Sequence, residues 1–504
     1  MRVLNTLIVS SLLIAFASGC SSITNARKQK IPYMDNYYSG NISQAASDLS
    51  EKSADRAGSG DELMWLLESG TTAYSAHDYK QSLHAFEKAE LLIQDFNDRA
   101  TINARAAAAE MGSSLSNSNA LPYQGMYLDR IMLNAYKALN YFALNQPESA
   151  HAELRRMRET QKNVVRQFKE DIYTEQQKIN AERYKNQQKS SSLGNQNTAF
   201  SFDQISRTPS ISDAYNSAAK KSNKLYGSLA NPFVSYFSAL GYLLENNDAE
   251  ALVDFRRLYK MNPHNALIQR DYVSTAQKIG SDIPSELENI PPYAYALNNK
   301  IVYILFFNGR APALKQEKFQ LILPYVGYTG IAFPRYEYFP TRISALNIHY
   351  TRNTQTQSAR TETIADFDAI MSQEYHQKLP AMVTRLVVST LSKELASYAA
   401  IHAARQSGDA AMILAYLLTG SYKYLFNTAD TRGWETLPKE IQVSHIPLPD
   451  DGLLSISPIS KANGAMSNTQ QSKQIALKSS TRIAIVYIRS LAGHQLHYQL
   501  FEIE

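Results

Sequence analysis

The sequence predicts an α+β protein in which an N-terminal α-helical solenoid is followed by a mixed, mostly antiparallel β-sheet domain with a helical pair. Two observations carry this. Apolar and small residues recur at helical spacing from about residue 37 to 280. After Pro291-Pro292 the pattern changes to short apolar runs closed by turn residues, as in "KIVYILFFNG" at 300–309.

The first thirty residues set the address. Arg2 gives a positive start, and Leu4 to Ala17 is almost wholly apolar. That run is too short to span a bilayer, which takes about 20 residues, but suits a secretory signal. The chain's single cysteine, Cys20, directly follows the small residues Ala17, Ser18 and Gly19. This stretch resembles the lipobox of bacterial lipoproteins. There the cysteine sulfur is acylated and the peptide is cut before it. The resemblance implies a signal peptide over 1–19, lipid attachment at Cys20, and a tether over 20–36. Ser21 follows, where lipoproteins kept at the inner membrane usually carry Asp. The implied location is therefore the outer membrane, facing the periplasm.

Composition narrows the class. Fifty-one basic against forty-six acidic residues give a net charge of +5 without a dense basic block, so nucleic acid is not an expected partner. With one cysteine no internal disulfide forms, and stability has to come from packing. Thirty-two tyrosines supply core and rim aromatics.

Three stretches of the helical half repeat one pattern. In "LLESGTTAYSAHDYKQSLHAFEKAELL", residues 66–92, Gly70, Asp78, Tyr79, Phe86 and Ala89 stand at spacings resembling a tetratricopeptide repeat, with Ser82 where Ala is usual. Residues 133–157 repeat it through Ala138, Tyr141, Ala150 and Leu154, and residues 236–263 through Tyr242, Ala251 and Phe255. The segment 37–280 is thus expected to be a TPR-like helical domain. Ala138, Ala150 and Ala251 take the tight inter-helix positions. Tyr74, Asn134, Tyr141 and Ser235 are left to face a partner-binding groove. Residues 151–188 hold neither Gly nor Pro and predict one long, partly solvated helix of about 57 Å projecting from the array. The polar run 189–210 predicts a flexible linker.

Residues 281–504 predict the C-terminal α+β domain, with a fold independent of the helical half. Strands are expected at 300–309, 318–326, 344–352, 440–449, 481–491 and 494–504, and a polar loop at 463–474. Pro380 is expected to open a helix that Gly408 ends, with Asp409 capping a second helix over "AAMILAYLLTG".

Four segments, "LPYQGMYLDRIMLNAYKALNYFAL", "NPFVSYFSALGYLLENNDAEAL", "VYILFFNGRAPALKQEKF" and "DTRGWETLPKEIQVSHIPLP", together resemble a family of Gram-negative bacterial lipoproteins with tetratricopeptide-like repeats. That resemblance implies architecture and location, not chemistry.

Catalytic patterns are thin. The sequence has no HExxH, no GxSxG, no phosphate-binding loop and no cysteine-based metal spacing. Ser217-Ala-Ala-Lys220 matches Ser-x-x-Lys without the KTG that accompanies it in penicillin-binding enzymes. His494 and His497, three apart in a predicted strand, fall on opposite faces. Asp430, Arg432 and Trp434 predict a loop against the sheet with a Trp–Arg stack. No catalytic residue, metal or cofactor is expected. The reading is a non-enzymatic, membrane-anchored scaffold that binds envelope proteins and possesses a possible cell-wall contact. The alternative is an envelope hydrolase or transferase, or a cell-wall-binding accessory factor.

Overall fold

The computed structural model describes residues 25–106, 122–192, 201–222, 230–323, 327–406, 428–460, 472–491 and 495–504. Helices fill the first half: α1 (Ala26–Tyr38), α2 (Ile42–Asp55), α3 (Glu62–Ser75), α4 (Tyr79–Ala106), α5 (Tyr127–Ala143), α6 (Pro147–Ser192), α7 (Phe202–Ile205), α8 (Pro209–Ser222), α9 (Pro232–Leu244), α10 (Asp248–Met261) and α11 (Ala266–Lys278).

Four of the helical hairpins, α1/α2, α3/α4, α5/α6 and α9/α10, turn in the same way. The chain passes through positive φ at Gly40, His77, Asn145 and Asn246. The next amide then donates to the carbonyl five residues back: Asn41 to Asn36, Asp78 to Ala73, Gln146 to Tyr141 and Asn247 to Tyr242, at 2.8–3.0 Å. This is a Schellman-type ending. Four residues later a small side chain sits fully buried where the hairpin closes: Ala45, Ser82, Ala150 and Ala251. The serine is accounted for, because its hydroxyl donates to the Gly70 carbonyl at 2.7 Å and accepts from Asn140 at 2.9 Å. Gly70 itself is required by close approach, since a Cβ there would stand 2.7 Å from the Phe86 ring.

The second half contains β1 (Ile301–Asn308), β2 (Ala313–Leu323), β3 (Gly327–Glu337), β4 (Ile343–Arg352), β5 (Gln355–Arg360), β6 (Glu362–Asp366), the long α12 (Phe367–Gln406), β7 (Glu440–Pro447), β8 (Leu453–Ser460), β9 (Lys473–Ala476), β10 (Ile483–Ser490) and β11 (Leu496–Ile503). One sheet runs β11-β10-β1-β7-β6, another β5-β4-β8-β9, and β2-β3 form a two-stranded ribbon. Only β1/β10 is parallel among the described pairs. β1 is buried on both faces, which is why it reads as a continuous apolar run. Ile301, Tyr303, Leu305 and Phe307 join the core shared with the helices. Val302, Ile304 and Phe306 pack with Ile348, Ile456 and Ile475 of the second sheet. The layers are therefore helices, five-stranded sheet, four-stranded sheet.

Several expectations are corrected. The period changes near Pro291, but the core does not divide there: one apolar cluster runs from Ala26 to Phe501. The helical and sheet halves thus share an apolar core. The segment expected as a 20–36 tether is α1 from Ala26 onward, with Ala26, Lys30, Met34 and Tyr37 buried. The expected 189–210 linker contains the end of α6, then α7 and the start of α8. The long helix runs Pro147–Ser192 and lies against α12 rather than projecting: Arg385 pairs with Glu175 at 3.2 Å, and Asn186 donates to the Val388 carbonyl at 3.1 Å. Pro380 lies inside α12, not at its start. Buried Phe367, Ile370, Met371, Tyr375 and Leu379 continue at helical spacing into Val383, Val387 and Leu391, and that packing carries the helix through the proline. Gly408, Asp409 and the second helix expected after them fall outside the described residues.

Candidate functional site

The residues expected to line a groove do not line one. Tyr74 has no exposed surface, and its ring meets Tyr79, Tyr136 and Tyr487 at 5.7, 5.7 and 5.1 Å. Asn134 is 4% exposed and donates to Glu153 at 3.0 Å. Ser235 is 5% exposed on α9. Tyr141 alone is partly exposed, its hydroxyl donating to Glu87 at 3.4 Å. The physical reason is occupancy. The first helices of the hairpins rest on the five-stranded sheet, where Phe307 meets Tyr136, Phe233 and Tyr487 at 6.0, 5.4 and 4.8 Å. The inner face of the array is filled by the chain's own sheet. Cys20 lies outside the described residues.

The strongest concentration of buried charge lies where α1, α3 and the segment 428–438 meet. Ala26, Lys30, Met34 and Tyr37 form the buried stripe of α1, so Lys30 is carried into the core by helical spacing. Its ammonium lies 3.2 Å from Glu68 and 2.8 Å from Glu435, and donates to the Gly433 carbonyl at 2.6 Å. Glu68 accepts from the backbone amides of Glu435 and Thr436 at 2.7 and 3.0 Å, and from the Thr436 hydroxyl at 2.8 Å. Arg310 reaches Glu435 at 2.6 Å. Burial raises the Glu68 carboxyl above its ordinary value, against the pull of Lys30. Burial acts the same way on Glu435, but Lys30, Arg27 and Arg310 outweigh it and hold that carboxyl low. Arg489 of β10, also buried, donates to the carbonyls of Phe307 and Thr436 at 3.0 and 3.1 Å. This network fastens the N-terminal helix to the C-terminal segment.

The loop that carries Arg432 and Trp434 meets the helical half. Trp434 donates to Thr71 at 2.8 Å and packs with Phe86 and Tyr136. Arg432 pairs with Asp430 at 2.7 Å and Asp61 at 3.3 Å, over the Tyr123 ring. The loop thus packs on the helices. His497 lies opposite Arg489 on β11, and His494 lies outside the described residues. Ser217 and Lys220 lie on α8.

One arrangement has the order carboxylate, imidazole, hydroxyl. Asp271 of α11 is 2.8 Å from Nε2 of His445 on β7, and Nδ1 of that ring is 3.1 Å from the Tyr295 hydroxyl. Burial and the charge of Asp271 push the Tyr295 phenol upward. Rings of Tyr293 and Tyr303 flank the imidazole at 4.8 and 5.6 Å. The chain of bonds connects α11, the 281–300 segment and β7. A shallow cleft between α6 and α9 is lined by His151, Arg155, Ser238, Tyr242 and Glu245 among others. Among the described residues no three His, Cys, Asp or Glu side chains gather as a metal group, and no helix is long and apolar enough to cross a membrane.

No family model, curated protein or solved structure matches this chain.

The signal missed in the sequence was Lys30. A lysine between Ala26 and Met34 on one helical stripe marks a charge that must find a buried partner. Nothing local to Glu68 or Glu435 announces that partnership, because 367 residues separate them.

Proposed function

We propose that this chain is a lipoprotein anchored through Cys20 in the outer membrane, facing the periplasm, whose body is a rigid scaffold for one or more envelope proteins. The observation that carries the reading is the lone cysteine behind Ala17-Ser18-Gly19. Three acyl chains at such a cysteine give stable attachment, since two lipid signals already suffice. A scaffold role accords with the core shared by the helices and the five-stranded sheet and with the ion network that holds the N-terminal helix to the 428–438 segment. The array's inner face is taken by the sheet. The tyrosines turned outward are instead Tyr173 and Tyr184, 68% and 64% exposed on one side of α6. The test is metabolic labelling with a fatty acid. Wild type should take up label and Cys20→Ser should not; label retained by the variant would end the anchor reading.

A further inference from the structure

We infer that the outward side of α1, with Lys28 and Ile31, lies on the surface of the lipid bilayer that holds Cys20. The inference rests on the anchor reading and adds an orientation to it. Five residue steps separate Cys20 from Asn25. Fully extended they reach about 17 Å. The chain cannot lengthen that reach by peeling α1 away. The Asn25 side chain accepts from the Thr431 hydroxyl at 2.9 Å, and the Arg27 amide donates to the same hydroxyl at 3.2 Å. The Arg27 guanidinium pairs with Glu337 at 2.6 Å, and Lys30 is locked between Glu68 and Glu435. Freeing α1 would strand the buried charges of Lys30, Glu68 and Glu435.

The part of the body within reach of the anchor is therefore fixed. Along the helix axis Lys28 lies about 4.5 Å and Ile31 about 9 Å from Asn25. Lys28, Ile31, Pro32 and Asp35 form the exposed side of α1, at spacings of three and four. Ile31 is 45% exposed, unusual for a large apolar residue in this body. The order suits a bilayer margin. The cation stands nearest the anchor, where phosphate headgroups are. The isoleucine comes next, and the acidic Asp35 a turn farther on. Lys28 and Ile31 would not hold a protein on a membrane alone. Tethered at about 17 Å they do not need to, because the acyl chains make their contact intramolecular.

The chain has no thiol besides the acylated Cys20, so Ile31→Cys or Lys28→Cys offers one site for a nitroxide label. The full acylated chain is reconstituted in phosphatidylethanolamine/phosphatidylglycerol vesicles and floated on a density gradient. The soluble reference carries the same label with Cys20→Ser. In floated samples both labels should lose collisions with a water-soluble nickel complex several-fold relative to the reference and gain collisions with oxygen. Unchanged accessibility at both positions in a chain that floats would overturn the orientation and leave the anchor standing. A chain that fails to float would overturn both.

Discussion

Asp129 is the clearest case of a residue whose chemistry is set by its surroundings. It lies at the start of α5, buried, accepting from the Tyr123 hydroxyl at 2.5 Å and the Met126 amide at 2.9 Å. Burial outweighs both bonds and pushes its carboxyl up to about 7 from an ordinary 3.8. The folded chain thus holds this proton at pH values where the unfolded chain has released it. Its contribution to stability grows as pH falls from above 7 toward 4 and is constant below that. Urea unfolding at pH 8 and pH 5 should show wild type gaining more on acidification than Asp129→Asn. An equal gain in both would assign the pH dependence elsewhere. At the same scale, Glu435→Gln removes the acceptor shared by Lys30 and Arg310. Breaking such a buried pair costs about 3–5 kcal/mol. A loss under about 1 kcal/mol by denaturant titration would refute the clamp.

At the scale of elements, the hairpins were legible because their pattern is local. The helical period, the turn residues His77, Asn145 and Asn246, and the small residues five positions after each of them all lie within one repeat. Ala251 is fully buried at such a position. Ala251→Leu should overpack the α9/α10 pair and cost about 1–3 kcal/mol. Tyr74 was misassigned for a related reason. The repeat pattern identifies which side of a first helix faces inward, but not what lies there. Since β10 lies there, Tyr74→Ala should cost about 3–5 kcal/mol, as large core truncations do. Thermal melts by circular dichroism would decide: a variant as stable as wild type would return Tyr74 to an open groove. Strands β3, β5, β6, β8 and β9 escaped the sequence reading. β5 is polar and exposed along nearly its whole length, so it has no apolar alternation to read.

On the scale of the whole molecule, the helical and sheet segments are joined by their core, the Lys30–Glu68–Glu435 network and the Asp271–His445 contact. A chain ending at Gly280 should therefore be less cooperative than the full protein and bind a hydrophobic dye, because the residues that meet Phe307 and Tyr487 lose their cover. The complementary piece from Pro292 should behave likewise. Two sharp, independent unfolding transitions from the separated pieces would restore a two-domain molecule.

The class of elements, the repeated hairpin and the place of the lone cysteine are legible along the chain. Periodicity, turn chemistry and the Ala17–Cys20 pattern act over a few residues and need no distant partner. Packing alone reveals that the inner face of the helices is filled, that Lys30 is paired with Glu68 and Glu435, and that α1 is fixed to Thr431 and Glu337. Those outcomes depend on burial and charge pairing between residues hundreds of positions apart. At such separations the same apolar face can meet a partner or its own sheet, and only the packed chain distinguishes the two.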